Sequence, residues 1–179
     1  MHVSQPEFEG VYLAFHDRIL RYLCRLVGES EAEDLAQDVF LKVSRGLADF
    51  RGDARLSTWI YRIATNAAVD RLRSPGFRQA DAAVFDEETC ETACPTAQPP
   101  LPDEQVMSNE MVECFGDHLK DLPAAYRAVF ILSDLEELPN RQIADILGLS
   151  LETVKMRLHR GRAMLLRELQ QNCKAEDWL

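Results

Sequence analysis

The 179 residues carry 20 lysines and arginines against 30 aspartates and glutamates, a formal net charge of −10, and 46% of them are hydrophobic. That length suits one medium domain or two small ones, each able to bury a modest core. With no run of eighteen apolar residues, a polar start in His2, Ser4 and Gln5, and scattered cysteines at 24, 90, 94, 114 and 173, the sequence excludes a membrane-spanning helix and does not look like a secreted disulfide framework, so a cytoplasmic protein is expected.

In chain order, Phe8, Val11, Tyr12, Phe15, Ile19, Tyr22, Leu23 and Leu26 recur at helical spacing as one buried stripe that ends near Gly28. Periodicity does not say whether this segment is one helix or two short ones; with the latter, the first half holds four helices. Ser30 can cap the next helix, with Glu33 as its capping-box partner, and Ala32, Leu35, Val39, Val43 and Leu47 form its inner stripe. After a turn at Gly52, Asp53 or Ser57 can cap a helix that runs to about Arg73 and is buried through Leu56, Ile60, Ile63 and Ala67.

From Ser74 to Pro102 the pattern dissolves into Pro, Ala, Thr, Gln, Asp and Glu, which reads as a flexible linker. Its 29 residues span on the order of 90 to 100 Å when extended, more than two touching domains need. The net charge resides here as well: Asp81 to Asp121 holds eleven acids and the single base Lys120, while residues 1–80 and 122–179 are each balanced. The overall acidity therefore does not bar either end from binding a polyanion. Cys90 and Cys94 within the linker are spaced as a zinc or redox pair would be, yet two further ligands are not evident, so no metal and no cofactor are expected.

A second domain begins near Glu104, with a helix to about Lys120 and another opened by Pro123 and packed through Tyr126, Val129 and Phe130. Leu138 to Leu169 then reads as two helices around a tight turn. The first, about Asn140 to Leu147, buries Ile143, Ile146 and Leu147 and stops at Gly148; Ser150 caps the second, whose Val154, Leu158, Gly161, Leu165 and Leu169 fall near one stripe. Six bases against three acids in this stretch, on an acidic protein, mark a polyanion site, and the layout is that of a helix-turn-helix DNA reader.

Two other faces carry chemistry. On the second helix Asp34, Asp38, Leu41 and Arg45 line up beside Gln37, so acids and an amide flank an exposed leucine, which suits a protein partner. From Arg51 to Arg78 six arginines oppose Asp53 and Asp70, interleaved with Phe50, Trp59, Tyr61 and Phe77, as single-stranded nucleic acid requires. Trp59 and Tyr61 lie on different sides of a helix, and Trp59 is expected to be the core residue.

Three segments in this order, AEDLAQDVFLKV, FRGDARLSTWIYRIATNAAVDRLR and LPAAYRAVFILSDLEELPNRQIADILGLSLETVKMRLHRGR, make the chain resemble the extracytoplasmic-function sigma factors of RNA polymerase. The resemblance implies an all-α fold of two small helical domains, the region 2 bundle in residues 1–75 and the region 4 helix-turn-helix in 104–173, joined by an acidic linker at 76–103 and ending in a tail at 174–179. It implies no catalysis, with core RNA polymerase, promoter DNA and an anti-sigma factor as partners. Asp34, Leu35, Gln37, Asp38 and Phe40, with the exposed Leu41, match the polymerase-docking motif. Phe50, Arg51, Arg55, Tyr61, Arg62, Asn66, Arg71 and Arg73 belong to the segment that reads and melts the minus-10 element. Ser150, Thr153, Lys155, Met156, Arg157, His159, Arg160 and Arg162 belong to the minus-35 reader. The linker is expected to thread a basic polymerase channel and yield to the growing transcript. The rival reading, a ligand-sensing or dimeric regulator with the same helix-turn-helix, leaves the arginine and aromatic segment and the long linker unexplained; an enzyme would need a phosphate loop or histidine motif that is not found.

Overall fold

The computed structural model describes residues 7–52, 54–74 and 109–172, with side chains of the second half from residue 115 onward. Among these residues every regular element is helical. The first segment is one unbroken helix, α1, Phe8–Val27, and α2, Glu29–Gly46, follows after a single residue. Gly28, with φ +94°, ends one helix and begins the next, a backbone that favours glycine. Ser30 consequently sits inside the first turn of α2 and makes no cap hydrogen bond; acids at Glu29 and Glu31 face the positive end of the helix dipole instead. A single 3-10 turn, Leu47–Asp49, leads to extended Phe50, and α3 runs over Leu56–Arg73 from Arg55. Ser57 is thus the second residue of α3 and not its cap, while Asp53 lies outside the described residues. The described residues of the first half accordingly form three α-helices and a short turn in place of four helices.

These helices pack as a bundle around Ile19, Tyr22, Leu23, Val39, Val43, Ile60, Tyr61, Ala64 and Ala68, all fully buried. Its polar atoms are satisfied in series: the Thr65 hydroxyl donates to the Tyr61 carbonyl at 2.8 Å, which leaves Tyr22 to donate its own hydroxyl to Thr65 Oγ1 at 2.9 Å.

In the second half α4, Asn109–Asp121, is followed by α5, Ala124–Phe130, which opens at Pro123 and runs on into a π turn, Ile131–Leu135. The buried Arg127 guanidinium donates to the Lys120 carbonyl and so closes the end of α4. Next come α6, Asn140–Leu147, and α7, Leu151–Asn172, separated by Gly148 in the left-handed conformation at φ 67°, ψ 33°, where the sequence places the break. The long α7 is the spine: α4, α5 and α6 all pack on it, through Val154, Leu158, Leu165 and Leu169, and Gly161 lets the backbone of Tyr126 approach.

The two bundles touch. Helix α6 packs on α3, and α1 meets α4 and α5, so the buried residues of both halves form one continuous core.

Candidate nucleic-acid and partner surfaces

The α2 face is partly as its spacing predicts. Asp34, Gln37 and Asp38 are exposed, and Leu41 presents 53% of its surface. Leu35 and Phe40 of the docking set are buried, because they share the inner stripe with Val39 and Val43. Phe40 instead supports an aromatic row that climbs to the surface, edge-on to Tyr12 at 5.0 Å, with Tyr12 6.0 Å from Phe8. Phe8 and Tyr12 are exposed, although helical spacing assigns them to the buried stripe of α1. A stripe read from periodicity does not show where its neighbours stop covering it.

Along α3 and the loop before it, Arg51, Arg55, Arg62, Asn66 and Arg73 are exposed, with the acid Asp70 exposed between the last two, and Phe50 is half-buried with its ring 5.3 Å from that of Trp59. Trp59 and Tyr61 exchange the depths expected of them. Tyr61 is fully buried, its ring edge-on to Tyr22 at 5.5 Å, and leaves the DNA-facing set; Trp59 is half-buried and lies over Gly46, at the end of α2. Two positions on opposite sides of a helix tell from sequence only that one is core. Arg71 is also committed internally, donating to Glu31 at 2.5 Å and to the Ser74 hydroxyl at 3.0 Å, and so straps α3 to α2. The Arg71 hydrogen bond holds the Glu31 carboxyl below the usual carboxylate range.

On α7, Ser150 caps as expected: its Oγ accepts from the Thr153 amide at 3.1 Å. Lys155 and Met156 are exposed, with Thr153, His159 and Arg160 half-exposed beside them. Arg157 is a correction, only 6% exposed, because it lies three residues from Val154 and four from Gly161 on the packed side of the helix. Arg162 pairs with Asp134 of the π turn at 2.5 Å, which ties α7 to that turn while its side chain stays 37% exposed. The side chains of this set that are open or half-open to solvent are therefore Thr153, Lys155, Met156, His159, Arg160 and Arg162.

Burial shifts several groups. Tyr22 and Tyr61 are both raised well above the ordinary phenol range, first by burial; in Tyr61 the hydrogen bond to Glu136 adds to it. The half-buried Cys24 thiol is pushed up by burial and by Glu29, so it is a poor nucleophile. Among the described residues no cluster of three His, Cys, Asp or Glu side chains is placed to hold a metal, and Cys90 and Cys94 lie outside those residues. None of the described helices is long and apolar enough to cross a membrane.

Comparison with known proteins divides the chain as the bundles do. Residues 11–77 match the Sigma-70 region 2 family and residues 113–165 match Sigma-70, region 4. The ECF RNA polymerase sigma factor SigW of Bacillus subtilis is 33% identical over 93% of this chain and 90% of its own length. The RNA polymerase sigma-H factor of Pseudomonas aeruginosa is 31% identical over 91% of this chain and 86% of its own. Among solved structures, the sigma factor RpoE in complex with the anti-sigma factor NepR from Bartonella quintana superposes with a TM-score of 0.67 at 24% identity, over 92% of this chain and 98% of that one. CnrH in complex with the cytosolic domain of CnrY gives 0.65 at 22%, over 92% of this chain and 88% of that one.

Proposed function

The chain belongs to the extracytoplasmic-function sigma factors of RNA polymerase, and from that premise we propose how its surfaces direct initiation. As a member of that family it is a non-catalytic initiation factor whose partners are core RNA polymerase and promoter DNA. The division of labour is ours: residues 1–75 dock and open DNA, 104–173 read the upstream element, 76–103 tether them, and 174–179 form a tail. Asp34, Gln37, Asp38 and Leu41 dock on the polymerase, with Leu35 and Phe40 shaping that face from beneath. Arg51, Arg55, Arg62, Asn66, Arg73 and the rim of Phe50 engage the opened minus-10 strand, while Arg71 acts by holding α3 in place. Lys155, Met156, His159 and Arg160 enter the minus-35 major groove, with Thr153 at its edge and Ser150 fixing the helix start.

The observation that carries this reading is that both basic faces sit on the two bundles that match region 2 and region 4. Strand opening then needs no hydrolysis, since contacts to extruded bases offset unstacking, which costs a few kcal/mol per base. The acidic tether would follow a basic channel of the polymerase until RNA displaces it. Superposition on two sigma factors held by anti-sigma partners supports control by such a partner here. The site of action is the cytoplasm, where polymerase and chromosome meet. Transcription from a pool of genomic promoter fragments, with core polymerase and the purified chain, tests the proposal: a small set of promoters should fire only when both are present. An unchanged transcript profile, or promoter binding by the chain alone as tight as with polymerase, would falsify it.

A further inference from the structure

Glu136, an acid of the second bundle, is buried against the first. It follows the π turn, its side chain is 5% exposed, and one oxygen, Oε2, collects every contact: Arg18 of α1 donates from Nη2 at 3.1 Å and Nε at 3.3 Å, and the Tyr61 hydroxyl of α3 donates as well. Six residues further, the buried Gln142 of α6 donates to Ser57 Oγ of α3 at 3.1 Å. The helix-turn-helix is therefore fastened at two points to the helix that carries the proposed minus-10 surface.

This closed arrangement and promoter binding exclude each other on length. Elements about 25 base pairs apart are separated by roughly 85 Å at about 3.4 Å per pair, whereas the two bundles here share one core. Opening leaves Glu136 and Arg18 hydrated, so their separation is tolerated; removing Arg18, itself 42% exposed, while the contact stays shut strands the buried Glu136 carboxylate. Those are the properties of a contact made to be released. We propose that Glu136, Arg18 and Tyr61, aided by Gln142 and Ser57, form an interdomain latch that keeps the isolated chain closed and that polymerase docking must break. The second half of this inference rests on the sigma-factor reading; the first does not.

The test uses the full chain. Glu136→Arg and Arg18→Glu each set like charges at the contact, Tyr61→Phe removes a single oxygen in case the reversals disturb folding, and Arg18→Glu with Glu136→Arg restores opposite signs. Small-angle scattering should show a larger radius of gyration for the three single variants and a return toward the parent in the double reversal. Core polymerase should bind the opened variants about tenfold more tightly. Scattering identical to the parent in every variant overturns the latch, whatever the polymerase does. An opened chain that binds polymerase no better than the parent overturns its role in docking, and an opened chain that, like the parent, does not bind polymerase at all overturns the sigma reading while the latch stands.

Discussion

Beside the latch residue stands Glu137, a non-glycine residue with φ +52°. A left-handed backbone costs an L-residue about 1 to 2 kcal/mol, and glycine would escape this while regaining about 0.4 to 1 kcal/mol of freedom in the unfolded chain. Because its side chain is exposed, Glu137→Gly is expected to stabilise the fold by about 0.5 to 1 kcal/mol in urea unfolding. On α7, Lys155 and Arg157 should separate cleanly. Lys155→Ala leaves the melting temperature unchanged and costs about 1 to 3 kcal/mol of promoter binding by the holoenzyme if it reads a base, or lowers the salt slope by about one if it holds a phosphate. Arg157→Ala, at a buried position, instead lowers the melting temperature, read by thermal denaturation of the free chain. The family resemblance grouped these two residues in one minus-35 set, although the offsets of Arg157 from Val154 and Gly161 already placed it on the packed side.

Among elements, helix order, the break at Gly148 and the Ser150 cap were legible because each has a local signature: a period, a left-handed glycine, a hydroxyl three residues from an amide. The π turn and the choice between Trp59 and Tyr61 were not, since both depend on what another helix brings alongside. The latch is the extreme case, its partners 75 and 118 residues apart in the chain. Two helical glycines make the same point with opposite signs. A Cβ at Gly46 would stand 2.9 Å from the Trp59 ring, so overpacking of about 1 to 3 kcal/mol outweighs the roughly 1 kcal/mol of helix propensity that alanine brings. At Gly161 the nearest atom is Tyr126 Cβ at 3.4 Å, an ordinary contact. Gly46→Ala is expected to destabilise by on the order of 1 kcal/mol and Gly161→Ala to stabilise by up to about 1 kcal/mol, both read from chemical denaturation.

For the molecule as a whole, alkali is the discriminating stress. Tyr22 and Tyr61 have pKa values raised in the fold, first by burial, so the stability they confer is complete below the ordinary phenol value of about 10 and is lost as pH rises through their higher folded values. Unfolding at that pH releases their protons. Phenolate absorbance from these two residues should therefore rise in step with loss of helical circular dichroism, and Tyr61→Phe should remove part of that rise. Ionisation of both while the helices stay intact would contradict their burial.

The one-glycine joint at Gly28 has a practical corollary. With no slack between α1 and α2, a protease finds no extended substrate there, and an inserted tag or reporter would pry the hairpin apart instead of riding on it.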